Sequence, residues 1–190
     1  MGRTVAAALR TLTDAGVAVS FLHGNRDFLL GQRFAAASGI RLLPESVVIE
    51  LAGQPVLLLH GDTLCIDDIA YQTFRAKVRN PAWQGQILAL PLTQRRALAS
   101  QLRETSQQAT QQKAADITDV NPDEVDRVMR AHGVQRLIHG HTHRPAIHQW
   151  LLDDQPATRV VLSDWDDDRA NALCCDDAGW RLEPLLPTGT

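Results

Sequence analysis

Short apolar runs broken by glycine-containing polar clusters organise this chain. Val17 to Leu22, Val47 to Leu51, Val56 to Leu59 and Val134 to Ile138 are each far shorter than a membrane span and read as buried strands. The second of these pairs with the third across Gly53. Val5 to Leu12 has helical spacing and ends near Gly16, and Phe28 to Ser38 reads as a short helix closed by Gly39. Asn121-Pro122-Asp123-Glu124 supplies a cap, a proline at the first helical position and a glutamate three residues after the cap. That helix carries Val125, Val128 and Met129 and stops at Gly133. Further strands are expected near Arg159 to Leu162 and Ala170 to Cys174, and a long helical stretch fills most of residues 61 to 120. The pattern predicts an α/β protein without internal repeats or a low-complexity linker.

Three of the apolar runs end on residues able to bind metal or phosphate. Val134 to Ile138 stops at His139-Gly140-His141-Thr142-His143-Arg144, Val17 to Leu22 at His23-Gly24-Asn25-Arg26-Asp27, and Val56 to Leu59 at His60-Gly61-Asp62. A strand ending in Gly-His-x-His turns two neutral imidazoles towards one point, a donor set suited to Mn, Fe or Zn. A single histidine in such a place is more often a core or surface residue, and three unrelated turns would also contain these glycines and Asn25. Ligand sites in α/β sheets nevertheless gather beyond the carboxyl ends of strands, so three such ends can converge on one pocket. Glycine there lets backbone approach a ligand closely.

Composition narrows the partners. The net charge of -3 gives no basic signal for nucleic acid, and 44% hydrophobic with 22% charged residues is ordinary for a globular protein. There is no secretory-signal pattern, no transmembrane run and no myristoylation motif at Met1-Gly2. Cys65, Cys174 and Cys175 form no spaced disulfide framework, which suits a reducing cytosol.

Gly24-Asn25-Arg26-Asp27, His60-Gly61-Asp62 and Gly140-His141-Thr142-His143 resemble the last three blocks of the calcineurin-like metallophosphoesterases. The longer blocks His23 to Gly31, His60 to Cys65 with Asp67, Asp68, Tyr71 and Gln72, and Leu137 to Pro145 are similar to the UDP-2,3-diacylglucosamine diphosphatase family of lipid A biosynthesis, from about Ala6 to Leu162. The resemblance implies a two-sheet αββα sandwich, here a single domain over 1–190 with a helical cap insertion over 61–120. Family members begin with a strand carrying Asp-x-His and continue to a Gly-Asp block whose aspartate bridges two metals. Neither block is present, so the chain is expected to be N-terminally incomplete by about fifty residues. A misassigned start, a truncation or a genuine deletion would each produce this.

Carried over position by position, the resemblance implies that Asn25, His60 and His141 bind one Mn²⁺ and His143 the other; His139 is less expected as a ligand and reads as support behind the ligands or as turn packing. Asn25, Arg26, Asp68, Ser106, Thr110, Lys113 and His141 match substrate-binding positions; Thr110 stands where the family carries asparagine. Taken alone, Ser106 reads as an exposed helix serine and Asp68 as a helix-end charge. The implied reaction is attack of a metal-held hydroxide on the α-phosphorus of UDP-2,3-diacylglucosamine, giving UMP and 2,3-diacylglucosamine 1-phosphate. The enzyme would act as a monomer, peripheral on the cytoplasmic face of the inner membrane. Without the bridging carboxylate, the 190-residue chain alone is expected to hold at most one metal and to turn over little.

From Gly61 to Lys113 seven Lys or Arg stand against four acids, although the whole chain is negative. Trp83, Ile87, Leu88, Leu90, Leu92, Leu98 and Leu102 lie in the same stretch, interrupted by Pro81 and Pro91. Taken alone this is a helical hairpin with a solvated charged face. With the resemblance it is expected to be an amphipathic cap that rests on anionic headgroups and receives acyl chains. Other readings are a metallophosphoesterase for another nucleotide or phosphodiester, and a non-catalytic lipid-binding remnant. A metallo-β-lactamase-like hydrolase wants aspartate two residues after the second histidine, where this chain has Pro145.

Overall fold

The computed structural model describes residues 2–111, 117–166, 170–176 and 178–185. Its centre is a five-stranded mixed sheet, in the order β3 (Ser46–Leu51), β4 (Gln54–Leu59), β5 (Arg136–His139), β7 (Gln155–Val161) and β6 (Ala146–Leu152). The inner strands β4, β5 and β7 run parallel, and each edge strand is the antiparallel arm of a hairpin. Both hairpins have two-residue turns with positive φ at each position, Ala52-Gly53 and Asp153-Asp154. That backbone matches the right-handed twist of the flanking strands.

Alternation along these strands divides the core in two. Leu57, Leu59, Leu137, Leu152 and Ala157 face helix α6 (Pro122–His132), whose Val125 and Met129 are buried against them. Val56, Ile138 and Val160 face the other way and meet Leu173, Trp180 and Leu182 of a second sheet, the hairpin of β8 (Asn171–Asp176) and β9 (Gly179–Pro184). The start of α6 is as expected: the Asn121 side chain accepts from the Glu124 N–H, and Gly133 closes the helix in the left-handed region.

The remaining elements precede β3 or lie between β4 and α6. Helix α1 (Gly2–Asp14) contacts α2 (Gln32–Ser38), and β1 (Ser20–Phe21) pairs in parallel with β2 (Arg41–Leu42). Only two residues of the Val17 to Leu22 run pair, because β2 offers just two partners. The helical stretch between β4 and α6 comprises α3 (Ile69–Arg79), α4 (Pro81–Ala89) and α5 (Leu92–Gln111). Pro81 begins α4 with Asn80 as its cap, and Leu92 begins α5 just after Pro91. No described helix is long and apolar enough to cross a membrane.

Candidate metal centre

Parallel pairing brings two of the histidine blocks together. Leu58 lies opposite Ile138, so β4 and β5 end side by side, and the Gly140 N–H donates to the His60 carbonyl at 2.9 Å one step beyond. Gly61 then turns the chain with φ +113, and a Cβ there would stand 2.8 Å from His139 Nδ1 and 3.0 Å from the Gly140 carbonyl oxygen. Only glycine fits such a position. The third block arrives from β1: a Cβ on Gly24 would lie 3.1 Å from the His60 ring. Three strand ends thus converge, as the sequence pattern predicts.

The rings of His60 and His141 meet edge to face, with His60 Nε2 and His141 Nδ1 3.2 Å apart. Burial drives His60 down to about 4; Asp62 opposes the shift, while His141, Arg79 and His143 add to it. His141 is lowered for the same first reason, against Asp62 and with His143. Both rings are therefore neutral at neutral pH, the form that ligates metal. Two nitrogens bound to one divalent ion at about 2.1 Å stand about 3.0 to 3.4 Å apart at octahedral or tetrahedral angles. The observed spacing is of that size, so the pair fits adjacent ligands of one ion.

His141 and His143 both take left-handed backbone, φ 68° and 56°. Residues with a Cβ adopt that region at a cost of about 1 to 2 kcal/mol each, and such strain gathers at functional sites. His143 is exposed, with Nδ1 3.2 Å from the Asp164 carboxylate. Among the described residues no group of three or more His, Cys, Asp or Glu is placed to hold one ion. The described donors therefore fit part of one ion's shell and do not complete a two-ion centre.

His139 is buried beneath this pair, its ring lowered to about 4 by burial. Its Nδ1 faces the Gly140 carbonyl at 2.9 Å and its Nε2 lies 3.4 Å from Arg159. That arrangement supports the turn from behind.

Asp62 is the member of this region that sequence reasoning left without a role. It is buried, and its carboxylate accepts from the Tyr71 hydroxyl and from Arg75 Nε, each at 2.9 Å. Burial alone would raise its carboxyl, but Arg75, His60 and the Tyr71 hydrogen bond bring it below its ordinary value. Arg75 also pairs with Glu45, and Arg79 donates to the Gly24 carbonyl at 3.0 Å while stacking over Phe28. These two arginines therefore correct the reading of the insertion as one outward basic face, because Asp62, Glu45 and the Gly24 carbonyl draw them inward. Their spacing, one helical turn apart on α3, was the signal.

The other expected residues divide. Asn25 is half-buried and Arg26 exposed on the Gly24 loop. Asp68 is buried and caps α3 through the Tyr71 N–H, and its charge reaches His141. Ser106 is exposed on α5. The side chain of Thr110 and all of Lys113 lie outside the described residues.

No family model matches the chain. Curated proteins match it over nearly its whole length. The UDP-2,3-diacylglucosamine hydrolase of Chromohalobacter salexigens is 56% identical over 95% of this chain and 74% of its own length. That of Pseudomonas entomophila is 51% identical over 96% and 76%, and that of Escherichia fergusonii 55% identical over 86% and 68%. With more than half of the aligned residues identical across most of both chains, this chain belongs to the UDP-2,3-diacylglucosamine hydrolase family.

Proposed function

We propose that the chain carries out the hydrolysis for which its relatives are named, cleaving the pyrophosphate bond of UDP-2,3-diacylglucosamine to UMP and 2,3-diacylglucosamine 1-phosphate in lipid A biosynthesis. The observation that carries this reading is the pair of neutral nitrogens on His60 and His141, set 3.2 Å apart at adjoining strand ends. Asn25, His60 and His141 would hold one divalent ion, Mn²⁺ in this reading, and His143 would serve a second. Such ions neutralise charge developing on phosphoryl oxygens and make water a better nucleophile.

The chain's own residues prepare the rest. Arg26 offers a planar fork to phosphate oxygens. Asp68, at the start of α3, and Ser106, on α5, would take the glucosamine headgroup together with Thr110 and Lys113. Helix α4 carries no charged residue and has no buried residue, with Leu88 48% exposed and Leu92 just beyond it 54% exposed. Trp83 of α4 meets Phe28 of the Gly24 loop with the rings tilted at 47° and 6.4 Å between their centres. An apolar surface tied to the phosphate loop suits acyl chains, with 61–120 acting as a cap and the protein attached peripherally to the cytoplasmic face of the inner membrane. Co-sedimentation with vesicles containing anionic lipid tests the cap. Binding that Leu88→Asp with Leu92→Asp weakens supports it, and binding indifferent to both substitutions overturns it.

A further inference from the structure

Strands β5 and β7 run parallel with His139 opposite Val161, and the ladder continues one step further, where the Leu162 N–H donates to the His139 carbonyl at 2.8 Å. The chain beyond β7 therefore leaves the sheet beside the turn that carries His141 and His143. A little further on, the Trp165 indole N–H donates to the Asn171 carbonyl at 2.7 Å and ties this segment to the start of β8. Asp164 sits between these two anchors. It stands outside the glycine and histidine blocks of the sequence, and the pairing of β7 with β5 is what brings it to them.

The Asp164 carboxylate lies 3.2 Å from His143 Nδ1, with side chains 30% and 51% exposed. His143 follows a tight turn, closed by the Thr142 N–H donating to the Gly140 carbonyl at 2.8 Å, and a ring so exposed has little packing to fix its rotamer. The carboxylate supplies that restraint. An ionised carboxylate accepts hydrogen bonds and donates none, whereas a neutral imidazole has one N–H and one lone pair. The contact thus puts the ring proton on Nδ1 and leaves the lone pair on Nε2, at the far edge of the ring. It uses one carboxylate oxygen and leaves the other for further donors. A metal-binding histidine commonly gives its second ring N–H to such a carboxylate, which fixes tautomer and orientation and makes the ligating nitrogen more basic.

We propose that Asp164 is a positioning residue for the metal centre: it holds His143 in the Nδ1–H tautomer and so presents Nε2 to a divalent ion. That Nε2 meets an ion rests on the hydrolase reading above. The tautomer and the restraint on the ring do not.

Long-range ¹H–¹⁵N correlation spectra of the histidine rings, recorded on the metal-free 190-residue chain at pH 8, read the tautomer directly, and His143→Gln assigns the His143 signals. The wild-type chain is expected to show His143 mainly as Nδ1–H. Asp164→Ala should shift the ratio towards Nε2–H by about fivefold or more, and Asp164→Asn, whose amide oxygen still accepts, by less. The ring signals of His60 and His141 report whether each variant keeps its fold. A ratio that Asp164→Ala leaves unchanged overturns the proposal. So does a wild-type His143 that is mainly Nε2–H, a result that needs no substitution. No metal is present, so failure here leaves the hydrolase reading standing, and failure of that reading leaves the tautomer to be measured.

Discussion

His60 Nε2 and His141 Nδ1 stand 3.2 Å apart although 81 residues separate them in sequence. Parallel pairing of β4 with β5 and the bond from the Gly140 N–H to the His60 carbonyl hold them there. If both nitrogens serve one ion, removing either should do most of the damage of removing both. His60→Ala and His141→Ala are each expected to weaken Mn²⁺ binding by roughly 100-fold, with the double variant little worse. Titration of free Mn²⁺ by electron paramagnetic resonance reads this directly.

Buried His139 makes stability depend on pH in one direction. Its folded value of about 4 lies below the ordinary 6.5, so the unfolded chain binds the extra proton first as pH falls. Its contribution is fully present above 6.5 and drains away towards 4, to a total of about 3 kcal/mol. His60 and His141 act in the same sense. Urea unfolding at pH 7, 6, 5 and 4 should show this decline, and His139→Gln should flatten it.

Asp62 and Arg75 form a nearly dry ion pair, with side chains 2% and 14% exposed. Asp62→Asn leaves Arg75 partly unpaired in that setting, and a loss of about 3 kcal/mol is expected. Arg79→Ala should leave stability closer to native while lowering turnover about tenfold, because it frees the Gly24 carbonyl that fixes the Asn25 loop. Chemical denaturation and steady-state rates separate the two.

Gly61→Ala tests the close approach of the two turns. The new methyl would meet His139 Nδ1 at 2.8 Å on a backbone with φ +113. A loss of about 2 kcal/mol or more is expected, and weaker Mn²⁺ binding should accompany it as His141 is pushed aside. Thermal unfolding and metal titration on one sample check both.

The sequence made some elements plain and hid others for physical reasons. Helix α6 was legible because Asn121, Pro122 and Gly133 each act locally, and β3 and β4 were legible from their apolar runs around Gly53. β6 was missed: Ala146–Leu152 is mostly exposed and carries His148 and Gln149, so its pairing with β7 leaves a weak pattern. The Asp153-Asp154 turn was the available clue. β9 has Arg181 and Glu183 on its outer face and escaped in the same way. The Phe28 to Ser38 helix begins later, at Gln32, because residues 25–29 form turns in which the Asp27 carboxylate accepts from the Gly24 N–H. At the site, the histidine and glycine blocks could be read as motifs. The Asp62, Tyr71 and Arg75 cluster could not, because it depends on α3 turning back to Asp62, about ten residues earlier in the chain.

The most direct test is Mn²⁺-dependent release of UMP from UDP-2,3-diacylglucosamine. It should be run on the 190-residue chain and on a form extended upstream towards the length of its relatives, each with and without His141→Ala. The account predicts metal-dependent release by the extended form, slow release at most by the 190-residue chain, and loss of both in His141→Ala. Release that survives His141→Ala or EDTA, or none from either form, would contradict it.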